Sequence, residues 1–183
     1  MTRERLLWLC TALAVGGVYS TLYTASMFSD VLYHAGVVTV LFLTAMVLSG
    51  VVVLTEGWKV RPRGFEVGVA LGIFVIYLMV FLRLAIPERS HLIEYGVIGV
   101  LLYESLHESK RAGRRVPVPA LTAAVLATLI GVIDEVVQIF LPFRHFDWVD
   151  VLFNFMAACG AIDAMLVLRW ARRRAEARAE VRG

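Results

Sequence analysis

Ionisable and amide side chains recur at helical spacing in the second half of this chain. His91, Glu94 and Tyr95 lie three and four residues apart, Glu135 and Gln138 three apart, Asp134 and Gln138 four apart, and Asp150 and Asn154 four apart. These offsets put the members of each group on one face of a helix. Carboxylates with an imidazole can do acid–base work, so His91, Glu94, Glu135 and Asp150 are the catalytic candidates, with His91 as proton carrier. Tyr95, Asp134, Gln138, Arg144 and Asn154 are the ligand-binding candidates. Glu135, Gln138 and Arg144 read as a polar pocket that binds a head group or orients a water, or as bonds that tie helices together. Asp134 and Glu135 are adjacent, about 100° apart around a helix, so one of them is expected to meet a basic partner. Asp147 and Asp150 suit the N-cap and third position of a helix. His91 and Glu94 read as an acid–base pair or metal ligands, or as helix-entry residues at a wet interface; a metal needs three or more converging ligands with good geometry, and no metal site is assigned. No Gly-x-Ser-x-Gly, His-Glu-x-x-His, Cys-x-x-Cys or phosphate-loop pattern occurs, and the residues identify no cofactor.

The elements that must hold these groups are membrane helices. Of 183 residues, 60% are hydrophobic and 18% charged, with a mean hydropathy of +0.77. A soluble domain carries about 45–50% apolar and about 25% charged residues. Charge-poor runs suggest six spans, over residues 6–29, 31–55, 67–82, 91–106, 117–141 and 147–168. The breaks carry helix-ending residues, including Pro87, Gly113, Pro117, Pro119 and Pro142. The expected fold is therefore all-α, a compact bundle of about six transmembrane helices forming a single domain over 1–183. Such a chain has no room for a separate soluble catalytic domain. Cys10 and Cys159 are far apart in apolar runs and read as small buried hydrophobes. Gly68 and Gly72 form a small-xxx-small pattern expected to pack against a neighbouring helix.

The loops orient the bundle. With a cytoplasmic N-terminus, fifteen basic residues fall inside, including six arginines from Arg169 onward, and only Arg83, Arg89 and Arg144 fall outside. That asymmetry places both termini in the cytoplasm. The tail over 169–183 reads as a stop-transfer anchor with Trp170 at the interface. By the same division the inner half carries +7 and the outer half −4. His91, Glu94, Glu135, Asp150 and Asn154 then share the outer half of the membrane. Glu104, His107 and Glu108 fall at the inner end and are expected to be solvated. A carboxylate at the bilayer centre costs about 2.5–3.5 kcal/mol, so the outer group needs partners, protonation or water.

Two stretches carry a family likeness. His91-Leu-Ile-Glu94-Tyr95-Gly96-Val-Ile-Gly99, followed by Leu101-Leu102, resembles the first motif of the VanZ-like membrane proteins. The run Asp134-Glu135-x-x-Gln138-x-Phe140-x-Pro142-x-Arg144-x-Phe146-Asp147-x-x-Asp150-x-x-x-Asn154 resembles the second. Together they cover about 87–160; the first three spans add only hydrophobic character. Phe143 departs from the glycine or small or polar residue frequent there. The resemblance implies a multi-pass protein of the bacterial cytoplasmic membrane within a family named after a determinant of teicoplanin resistance.

Two functions follow. In one, a polar site in the outer half of the membrane acts on envelope lipid or cell-wall chemistry and thereby on glycopeptide susceptibility. In the other, the protein is not a catalyst and binds a lipid, an antibiotic or a partner helix, its buried polar residues holding the bundle together. Whether the chain is an enzyme stays open between them. The expected partners are membrane lipid and a lipid-linked or head-group ligand at the outer face, with no nucleic acid.

Overall fold

A computed structural model describes residues 2–34, 64–83, 86–141 and 145–180. Among them are five helices and no strand: α1 (Arg3–His34), α2 (Gly64–Arg83), α3 (Ile86–Arg111), α4 (Pro119–Gln138) and α5 (Trp148–Glu180). The all-α expectation holds for these residues. The span expected over 31–55 lies largely outside them, and its beginning belongs to α1, which runs through Asp30 without a break. A single charge does not end a helix whose backbone bonds are otherwise satisfied. Among the described residues two helices are long and apolar enough to cross a membrane, Pro119–Gln138 and Trp148–Arg174, each containing an 18-residue window with a mean hydropathy of 2.0. The apolar part of α2 over Phe65–Phe74 is shorter.

The helix ends follow from local chemistry. Gly113, at φ +87°, closes α3. The Gly113 N–H donates to the Lys110 carbonyl and the Arg114 N–H to that of Ser109, both at 3.1 Å. This is the paired Schellman pattern, which needs a left-handed residue that glycine supplies without steric cost. Pro119 opens α4, where its missing N–H would have had no partner. Asp147 caps α5, its Oδ1 accepting from the Val149 N–H at 2.7 Å, as its spacing suggests.

Cross-helix contacts fix the directions. His91 approaches Asp150, Gly99 meets Ala158, and Glu104 meets Arg169, so α3 and α5 run parallel. α1 runs antiparallel to α3: the Trp8 indole donates to Ser109 at 3.1 Å, and the Thr11 and Ser105 hydroxyls share a bond of 3.1 Å. Further along α1, the Tyr19 hydroxyl donates to the Ile130 carbonyl of α4 at 3.0 Å. Phe65, at the start of α2, meets Trp170 of α5 edge to face.

One end of the bundle is an ion-pair network. Arg3 lies 3.8 Å from Glu104 and from Glu108, Arg111 lies 3.9 Å from Glu108, Arg114 lies 3.1 Å from Glu4, and Arg169 pairs with Glu104. The expectation that Glu104, His107 and Glu108 are solvated is thus corrected. All three are half-buried, and arginines from three helices or their loops engage the two carboxylates. Cys10 and Cys159 are free thiols and only half-buried.

Small residues set the helix spacing at a different place from the one anticipated. A Cβ on Gly68 or Gly72 would meet nothing within 4 Å among the described residues. One on Gly99 would lie 2.9 Å from the Ala158 Cα and 3.1 Å from its carbonyl oxygen. The close approach therefore joins α3 to α5. Around it the interior holds Tyr95, Ile98, Ala123, Ala127 and Ala158, while Leu121, Val125, Leu129 and Ile133 of α4 and Leu152 and Met156 of α5 are exposed. Small and polar groups inside with large apolar ones outside is the distribution expected of helices that face lipid.

Candidate functional site

At the other end of the bundle, the start of α3, the end of α4 and the start of α5 bring polar groups together. Burial is extreme there: Asp134, Glu135 and Asn154 are 0% exposed, Gln138 1% and His91 7%. Unpaired polar groups at such depth cost about 1–3 kcal/mol each, so their partners matter.

Glu135 is held from two sides. The Gln138 amide, one turn further along α4, donates to its Oε1 at 2.9 Å. The backbone N–H of Asp147 donates to Oε2 at 3.0 Å. Asp147 also caps α5, so this bond fastens the end of α4 to the start of α5. Asp134 faces elsewhere, as the angle between adjacent helical residues requires: its Oδ2 accepts from the Tyr95 hydroxyl of α3 at 2.9 Å. The two carboxylates thus accept from different helices. Near Glu135 lies an imidazole.

That imidazole is His91. One donor atom each from His91, Glu135 and Asp150 lie within 4.8 Å of one another. The His91 Nε2 is 3.9 Å from the Asp150 Oδ2, and its Nδ1 has no hydrogen-bond partner among the described residues. The ring stacks on Tyr95 at a centroid distance of 6.2 Å. Asp150 is the most open of the three, its side chain 27% exposed. Three helices therefore each contribute one group that can take or give a proton.

Asn154 sits one turn below Asp150 on α5. It is completely buried, and among the described residues neither its Oδ1 nor its Nδ2 has a hydrogen-bond partner. It fits against α4 only because position 131 is glycine: a Cβ there would lie 3.0 Å from the Asn154 Cβ and Nδ2 and 3.3 Å from the Tyr95 ring.

Of the candidates read from the sequence, His91, Glu135 and Asp150 converge. Tyr95 and Gln138 orient two carboxylates, Asp134 joins α4 to α3, and Asn154 packs against Gly131 of α4. Glu94 is half-buried and outside the converging trio. Arg144 lies outside the described residues. Sequence reasoning missed two contributors. The Asp147 amide acts through its backbone, which residue type does not reveal. Gly131 left a faint signal, standing four residues before Glu135 on one face of the helix.

A family model described as VanZ/LLP1 matches residues 36–171, a stretch that includes every one of these side chains. No curated protein and no solved structure matches the chain.

Proposed function

Because the chain belongs to the VanZ/LLP1 family and pairs two apolar helices of spanning length with a buried polar cluster, we propose an integral-membrane binding protein. It is a multi-pass protein of the bacterial cytoplasmic membrane with about six spans and both termini in the cytoplasm. Its polar site lies in the outer half of the membrane and holds the head group of an envelope lipid or a lipid-linked cell-wall intermediate. Through that ligand it alters glycopeptide susceptibility.

The orientation draws on the ion-pair end. Arg3, Arg111, Arg114 and Arg169 gather there, and basic residues favour the cytoplasmic side. The polar cluster occupies the opposite end, where the exposed Phe140, Trp148 and Val149 surround the entrance to α5. Aromatic residues are enriched at membrane–water interfaces.

The observation that carries the binding reading is Asn154. A residue that only held the bundle together would have its amide matched within the protein, since leaving it unmatched is costly. Here both amide atoms are buried and unmatched among the described residues, and so is the His91 Nδ1 at the same end of the bundle. Both can serve a ligand or ordered water. A second reading, a structural clamp, is favoured by the bonds from Tyr95 to Asp134 and from Asp147 to Glu135, each of which joins two helices or their ends.

Native mass spectrometry of the full chain released from membranes separates the two. Wild type is expected to retain a lipid species that Glu135→Gln and His91→Ala each lose by about tenfold or more, a difference of about 1.4 kcal/mol, with helix content unchanged. In cells, the same variants should lose any change in teicoplanin susceptibility that wild type confers. Equal lipid retention by well-folded variants would leave the clamp as the function of these residues.

A further inference from the structure

We propose that His91, Glu135 and Asp150 form a binding site for one divalent cation of the borderline class, such as Zn2+. The inference rests on the proposed outer-half site and deepens it by naming how an acidic cluster could hold an anionic head group: the cation would lie between them.

Geometry is the first support. The three donor atoms come from three helices and lie within 4.8 Å of one another. Bonds to zinc of 2.0–2.2 Å place ligand atoms about 3.4 Å apart, so side-chain movements of about half an ångström to an ångström close the set. Three protein donors leave a coordination position open, as in sites where a metal also holds a ligand or water.

The surroundings resemble a support shell. Each Glu135 oxygen already accepts one bond, from Gln138 and from the Asp147 amide. Those bonds fix the carboxylate while leaving lone pairs for a metal, which is how outer-shell partners orient a ligand. His91 is stacked on Tyr95 and half satisfied at best. The His91 Nδ1, a buried atom of the trio itself, has no partner among the described residues, an independent sign that something polar belongs at the trio.

Charge and softness select the ion. Asp134, Glu135 and Asp150 sit together at this end, and His91 is their basic neighbour among the described side chains. A divalent ion offsets that charge better than one proton. Two carboxylates accept hard cations, but an imidazole nitrogen favours zinc and its neighbours over magnesium or calcium.

The test uses the full chain in detergent, stripped with a chelator and titrated with Zn2+ alone, bound metal being counted after desalting. One equivalent is expected, with excess Mg2+ failing to compete. His91→Ala and Asp150→Asn should each weaken binding by at least about tenfold, and Gln138→Leu by about 10–100-fold, as for outer-shell changes elsewhere. Glu104→Gln, in the ion-pair network at the opposite end, should bind as wild type does. Asp150→Asn is nearly isosteric at a half-open position, so it keeps the test decisive if His91→Ala misfolds. Uptake below one equivalent, uptake unaffected by Asp150→Asn, or equal competition by Mg2+ would overturn the proposal. Metal is read here without lipid, and lipid is read by native mass spectrometry of the unchelated protein released from membranes, so either reading can fail while the other stands.

Discussion

Glu135 is buried with both carboxylate oxygens engaged, one by the Gln138 amide and the other by the Asp147 N–H. Removing the carboxylate strands the buried Gln138 amide and the part-buried Asp147 N–H, whereas glutamine keeps one acceptor. Glu135→Ala is therefore expected to lower the thermal midpoint in detergent more than Glu135→Gln, at about 1–3 kcal/mol per stranded donor. Tyr95→Phe deprives Asp134 of its 2.9 Å donor and should cost a similar amount, read by the same melt. These residues were legible in the sequence because intramembrane carboxylates are costly and so stand out, and because helical spacing gave their faces. Their pairing was not. Asp134 and Glu135 each had a plausible partner in Gln138, and only the rotation of α4 against α3 and α5 assigns Gln138 to Glu135 and Tyr95 to Asp134.

Close packing between α3 and α5 sets the depth at which the site groups meet. Gly99 stands against the Ala158 backbone, and Gly96 lies 3.6 Å from the Ala161 Cβ when given a Cβ of its own. A larger residue at 99 must part the helices, because backbone atoms cannot rotate away. Gly99→Val is expected to destabilise by about 1–3 kcal/mol and to weaken ligand retention at the site one to two turns away. Gly72→Ala should be neutral or slightly stabilising, since it meets open space among the described residues and alanine favours helix. Comparing the two melting curves checks both. The sequence shows a small-xxx-small pattern at Gly68 and Gly72 and glycines at 96 and 99 alike. Choosing between them required knowing which face of each helix meets a neighbour, and that is a tertiary property. Helix ends were easier: Gly113, Pro119 and Asp147 act through local geometry, so their roles follow from residue type.

Across the whole molecule, the chain separates two polar ends by an apolar middle. Arginines and glutamates pair at one end, around Glu104 and Glu108, and the acidic cluster with His91 lies at the other. Both the first turn of α1 and the later part of α5 belong to the ion-pair end, as Arg3 and Arg169 meet on Glu104. Reporter fusions at the two termini are accordingly expected to report the same, cytoplasmic side. The claim at the centre of the account is that the His91–Glu135–Asp150 group opens on the outer face. It is tested most directly by Asp150→Cys in a chain with Cys10 and Cys159 replaced by serine, treated in intact cells or spheroplasts with a membrane-impermeant maleimide. Labelling from the outside, without permeabilisation, is the predicted result; labelling that appears only after the membrane is opened would contradict it.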